Sequence, residues 1–242
     1  MGLFDFLKNK SKQTEKKTGE KPIKKKRKSD NEFLKTESNQ HSFCWLEVGE
    51  KDNPFNKKIL DISSYTQTTM AFTKEKLIAE KYNELRSSFG KELIDFDTSN
   101  FDKISTNLTY PHNGSKLEGI AFKADSMDCK WDIYAYNNFL FFSRSWDGQL
   151  IYKAKYSIDT NKLVITEILF DNQITKREAE NDVHFLLKSH AIGQAFPHLI
   201  PEELKSDLEI AQWSFVKFGN RAYYASYEEI IDTEINITDN HK

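Results

Sequence analysis

Cysteine is nearly missing from this 242-residue chain: Cys44 and Cys129 stand far apart, in no metal-ligand or redox spacing. Two cysteines allow one disulfide, but two thiols in a reducing cytosol are the expectation, and neither is a zinc candidate. Long apolar runs are missing as well. No stretch approaches the roughly 18 apolar residues of a membrane span, and the start lacks the extended apolar core of a secretory signal. A cytoplasmic protein is expected, with peripheral contact to the inner face of a membrane left open. There is neither a P-loop nor a dinucleotide-binding glycine fingerprint, and Ser143 and Ser145 lack the glycines of a nucleophile elbow. His184 and His190 do not share a helical face as an i, i+4 metal pair would; with His198 they could still meet in space, but a zinc site is not expected. No metal and no cofactor is predicted.

What the chain does have is aromatic surface. Eighteen Phe, ten Tyr and four Trp make a packed core feasible although 30% of residues are charged. No central linker or internal repeat divides it, so one domain is expected over 41–230, between an arm at 1–40 and a polar tail at 231–242.

The net charge of −2 conceals a split. Met1 to Asp30 holds 11 Lys+Arg against 4 Asp+Glu, which leaves 24 against 33 for the remainder. A basic arm thus precedes an acidic body, and such an arm suits nucleic acid, anionic lipid, an acidic partner or the body's own surface. At its start Leu3, Phe4, Phe6 and Leu7 form a short amphipathic cluster able to enter a lipid interface or to pack on the domain. This start resembles those of certain bacterial peripheral membrane proteins and some amphibian membrane-active peptides. Gly2 lacks the Ser or Thr that myristoylation wants four positions on. Residues 9–40 are too polar to offset the entropy of ordering and read as a tether. Within it Lys24, Lys25, Lys26, Arg27 and Lys28 resemble a nuclear localisation signal, which implies the nucleus in a eukaryote and an electrostatic hook for phosphates or lipid headgroups in a bacterium.

The body reads as α+β with a mainly antiparallel meander and two principal helices. Ser42–Val48 and Lys58–Ile62 predict an opening hairpin. A helix is predicted from about Lys74 to Ser88, with Leu77, Ile78, Tyr82 and Leu85 inward, and a second from about Lys176 to Ser189, capped by Thr175, with Ala179, Val183, Leu186 and Leu187 inward. Asp171, Glu178, Glu180 and Asp182 near this helix read as solubilising. Asn113-Gly114 predicts a hairpin between strands at 104–110 and 117–123. The meander itself is read as strands at 131–136, 139–143, 149–158 and 163–170. Its aromatics, Tyr134, Tyr136, Phe139, Phe141 and Phe142, have few lysines beside them and read as core, so sequence-specific nucleic-acid binding is not expected. Beyond it Pro201–Leu204 suggests a short helical turn, and Trp213–Phe218 with Arg221–Ala225 a late hairpin.

The sharpest constellation is Arg144, Trp146, Asp147 and Gly148, in a tight turn of the meander. An arginine fork suits a phosphate or carboxylate, an indole suits stacking on a base, and Asp147-Gly148 can present backbone amides. The competing reading is an ordinary turn with Trp146 packed inward and Arg144 paired across strands. Phe142–Gly148, with a Trp-x-Ile-Tyr strand before it and Leu150-Ile151-Tyr152 after, resembles uncharacterised bacterial proteins that read Arg-Ser-Trp-Thr-Gly and then a Cys/Leu-Ile-Tyr strand. The likeness covers about forty of the 242 residues and departs at Asp147, where threonine is usual. It implies kinship with an uncharacterised module and no activity. Two functions follow as expectations. One is a non-enzymatic protein-interaction domain, in an immunity or regulatory role, tethered by its basic arm. The other is a phosphate- or nucleotide-binding module or enzyme using Arg144 and Trp146.

Overall fold

The computed structural model describes residues 41–235, so the readings of the amphipathic start and of the Lys24–Lys28 run lie outside the described residues. In chain order the elements are β1 (Cys44–Leu46), β2 (Ile59–Asp61), α1 (Ser63–Thr66), α2 (Lys76–Ser87), β3 (Phe101–Pro111), β4 (Gly119–Phe122), β5 (Trp131–Tyr136), β6 (Phe139–Arg144), β7 (Leu150–Asp159), β8 (Lys162–Asp171), α3 (Lys176–Leu186), β9 (Pro197–Leu199), α4 (Asp207–Phe218) and β10 (Tyr224–Ser226). Six strands form an antiparallel sheet in the order β3-β8-β7-β6-β5-β4, and four short ones form a second sheet in the order β1-β2-β10-β9. The class is α+β, and the opening β1–β2 hairpin is present as expected.

The meander forms as its turns dictate. Asn137 and Asn138 both take positive φ, 51° and 63°, which matches the right-handed twist of the strands they join. β7 and β8 alternate buried and more exposed residues, whereas β5 is buried along its whole length. The difference lies in what covers each strand. The main core, between the sheet and α3, takes Trp131, Ile133 and Ala135. A smaller cluster of Leu93, Tyr134, Tyr136, Phe141 and Leu150 covers the other face.

The hairpin expected at Asn113-Gly114 does not form. β3 pairs with β8 and β4 with β5, so these strands sit at opposite edges of the sheet. Gly114 has positive φ but Asn113 does not, so the two-residue hairpin conformation is never reached. Instead 112–118 crosses the end of the sheet. Leu117 enters the main core, and its carbonyl accepts from the Tyr156 hydroxyl at 3.2 Å.

The late hairpin is also overturned: residues 207–218 are helix α4. Ser206 and Glu209 close a capping box at its start, and Ile210, Ala211, Ser214, Phe215 and Phe218 recur on its buried side. The β-rich look of Trp213–Phe218 yields to that upstream cap and to burial on one helical face. Pro201–Leu204 is a turn without a helix. In α2, Tyr82 and Leu85 point inward, but Leu77, expected in the core, is 80% exposed.

The end of α4 depends on one glycine. Gly219 takes φ 79° and ψ −155°, a region that essentially only glycine enters, and an added Cβ would lie 2.1 Å from the Asp128 carbonyl oxygen. Gly219→Ala is expected to cost about 3 kcal/mol, read as a lower urea midpoint. An unchanged midpoint would mean that the α4 exit and the Asp128 loop move apart freely.

Candidate functional site

The turn singled out in the sequence is well ordered by its own bonds. Gly148 takes φ 79° and its N–H donates to the Arg144 carbonyl at 2.9 Å, while an Asp147 carboxylate oxygen accepts from the Gln149 N–H at 2.9 Å. The Arg144 and Trp146 donors read as ligand contacts are occupied within the fold. Arg144 gives its guanidinium to the carbonyls of Lys217 (2.6 Å) and Val216 (3.0 Å), at the C-terminal end of α4. There it satisfies carbonyls that the helix leaves open and lies at the negative end of the helix dipole. Its plane rests 4.9 Å from the Trp131 ring, whose indole N–H donates to the same Lys217 carbonyl at 2.7 Å. Trp146 is half-buried, donates to the Met127 carbonyl at 2.9 Å and has the Lys130 ammonium 4.5 Å from its ring centre.

Arg144 therefore joins the meander to α4. Arg144→Met is expected to lower stability by about 2 kcal/mol, measured by thermal unfolding, because two charge-assisted bonds and a helix-end charge are lost. A variant as stable as the parent would show that these bonds contribute nothing.

Around Lys217 the fold brings together residues that sequence reading left apart. Asp182 on α3 has a side chain only 3% exposed and accepts from the Lys217 ammonium at 2.7 Å and from the Tyr152 hydroxyl at 2.5 Å. Burial raises the Asp182 carboxyl above its usual range even though Lys217 opposes that shift. Tyr152 is pushed well up by burial and by the Asp182 charge beside it. Lys217 also approaches Glu178 at 4.0 Å and stands 4.8 Å from the Trp213 ring centre. The i, i+4 spacing of Trp213 and Lys217 on α4, and of Glu178 and Asp182 on α3, sets these pairs face to face.

They line a cleft of about 440 Å³ between α3, α4 and the 199–203 loop. A smaller recess of about 190 Å³, lined by Trp131, Arg144, Tyr152 and Lys217 among others, shares Lys217 with this cleft. The one signal that pointed here was Thr175 followed by Glu178, which forms a full capping box and fixes where α3 starts. Among the described residues no group of His, Cys, Asp and Glu is arranged to hold a metal ion, and no helix is long and apolar enough to cross a membrane.

A different surface lies at 70–89. Met70, Phe72, Leu77 and Phe89 are between 63% and 80% exposed. The segment is nevertheless held to the body at both ends: the Ala71 N–H donates to Asp128, Arg86 to the Asp125 carbonyl (3.1 Å), and Lys123 to the Leu85 carbonyl (2.6 Å). Comparison with known proteins finds no family model, no curated protein and no solved structure that matches this chain.

Proposed function

We propose that this chain is a non-enzymatic protein-interaction domain whose contact surface is the 70–89 segment. The observation that carries this reading is the exposure of Met70, Phe72, Leu77 and Phe89 on a segment tied down on both sides. A single exposed apolar residue needs no explanation, whereas several on one anchored stretch are what a partner-binding surface presents. The segment itself carries Lys74, Lys76, Lys81 and Arg86 against Glu75, Glu80 and Glu84, which favours a partner with an apolar centre and charges of both signs around it. An immunity or regulatory role fits such a domain.

The double variant Phe72→Ser/Leu77→Ser is expected to keep the parent's melting temperature and lose a stoichiometric complex seen by light scattering. A complex that survives both changes would place the contact elsewhere. The nucleotide reading has less support, because the Arg144 fork is already bonded to helix carbonyls. A rise in melting temperature with nucleotides that Trp146→Phe abolishes would reverse that preference.

The basic arm is proposed to add contact with an anionic surface through Lys24–Lys28, with Leu3, Phe4, Phe6 and Leu7 entering the interface. Anionic liposomes should retain the full chain but not a chain beginning at His41. Equal retention of both would remove the arm from the account.

A further inference from the structure

Three of the four tryptophans spend their indole N–H inside the fold. Trp45 donates to Asp207 at 3.0 Å, Trp131 to the Lys217 carbonyl and Trp146 to the Met127 carbonyl. Trp213 has no such partner among the described residues, and it lines the α3–α4 cleft. Its ring is held by Lys217 (4.8 Å), His198 (5.6 Å) and Phe218 (5.8 Å), so it is not free to turn away in search of an acceptor. Trp213 is half-buried, so this N–H stays open to water or to an acceptor that enters the cleft.

The charges of the cleft define the entrant further. Its lining carries Glu178, Asp182, Glu202 and Glu203 against Arg177 and Lys217. Both cations are committed: Lys217 to Asp182 at 2.7 Å, and Arg177 to Glu229 and, at 3.5 Å, to Glu202. Glu203 makes no ion pair among the described residues, and Glu178 has only the Lys217 approach at 4.0 Å while its other oxygen closes the capping box. An anion entering here would meet carboxylates with no free cation to answer it. At about 440 Å³ the space is far larger than a bare ion needs and falls in the range that holds small organic ligands. Leu199, Ile200 and Pro201 give it an apolar wall.

We propose that the cleft binds an organic cation of the arginine or lysine type, a guanidinium or ammonium group on an apolar stem that also carries a hydrogen-bond acceptor. Glu178 and Glu203 meet the charge, the 199–201 wall takes the stem, and the Trp213 N–H takes the acceptor. The site shares no residue with the 70–89 surface and stands or falls separately from it. The same chemistry comes from a free amino acid or from a basic side chain of another protein.

Calorimetric titration of the full chain tests this with three probes of one net positive charge: arginine, N-acetyl-arginine amide, and butylguanidine, which has the guanidinium and an apolar stem but no acceptor. Saturable binding of at least one of the first two is expected, with butylguanidine several-fold weaker. Glu178→Gln/Glu203→Gln, in which glutamine keeps the capping box closed, should weaken binding about fivefold or more. Trp213→Phe should bring the acceptor-bearing probes down to butylguanidine. Binding of the capped form alone marks a protein-borne source, and comparable binding of arginine marks a free one. No saturable binding of any cation would overturn the proposal. So would an affinity indifferent to both carboxylate changes, or butylguanidine binding as tightly as the others in the parent chain.

Discussion

Acid is expected to unfold this protein, with the urea midpoint falling steeply below about pH 6.5 and the fold lost between about pH 5 and 3. The cause is a set of histidines buried in the neutral state. His184, His190 and His198 are all buried, and among the described residues the Nε2 atom of each has no hydrogen-bond partner. Their Nδ1 atoms are occupied: His184 faces the Tyr110 hydroxyl at 2.8 Å, His190 the Ser189 hydroxyl at 2.7 Å, and His198 the Leu199 carbonyl at 3.1 Å. Burial drives the imidazoles of His184 and His198 down to about 3, and that of His190 well below its ordinary value. Neighbouring cations push the same way: Lys188 on His184, Arg221 and Arg144 on His190, Lys217 on His198.

The sign follows from which state takes the proton. The unfolded chain binds it near pH 6.5 while the folded chain refuses it until about 3. The stabilisation is therefore complete above about pH 6.5 and is lost as the pH falls toward the folded values. Each histidine contributes a slope of about 1.4 kcal/mol per pH unit in that window, so three give about 4. An ordinary domain stability of about 5–15 kcal/mol is then exhausted within a few units. Asp182 works in the opposite direction, because burial raises its carboxyl, but it is one group against three. Urea titrations at pH 7, 6 and 5 measure the slope directly. In His190→Asn/His198→Asn the slope should drop by about two thirds, whatever those changes cost at pH 7. A midpoint that holds from pH 7 to 5 would show that these rings charge in place.

The elements legible in the sequence are those whose local chemistry and tertiary surroundings agree. The Asn137-Asn138 turn and the β7–β8 alternation announce themselves because both are short-range properties. Where the two levels conflict, the tertiary level decided. Trp213–Phe218 has the composition of a strand, yet a capping box seven residues upstream and one-sided burial make it helix. Asn113-Gly114 has the composition of a hairpin, yet β3 finds its partner some fifty residues later, on β8.

The candidate sites divide in the same way. Arg144 and Trp146 are conspicuous in the sequence, but their donors are spent on helix-end and loop carbonyls. Asp182 looks like one more surface acid, and only the fold shows it buried against Lys217 and Tyr152. Residues 30, 35 and 65 positions apart cannot be grouped by spacing, since no period connects β7, α3 and α4.

Lys217→Met should be the most damaging single change in that cluster, costing about 3–5 kcal/mol at pH 7. The substitution leaves the Lys217 carbonyl in place for Trp131 and Arg144, so what it removes is the ammonium alone. Asp182 would then keep the Tyr152 hydroxyl but lose the one cation that offsets its burial, and its carboxyl should titrate higher still. Asp182→Leu on top of Lys217→Met removes the buried charge, yet it strands the Tyr152 hydroxyl at a cost of about 1–3 kcal/mol. Tyr152→Phe removes that too. The triple variant Tyr152→Phe/Asp182→Leu/Lys217→Met should therefore recover most of the parent's stability, because a buried ion pair seldom outperforms well-packed apolar residues of similar volume. Chemical unfolding of the single, double and triple variants separates two accounts. Recovery in the triple variant means that stability does not require the charges, leaving their place beside the α3–α4 cleft as the reason to have them. A triple variant as weak as Lys217→Met would mean that the cluster is itself what fastens α4 to α3.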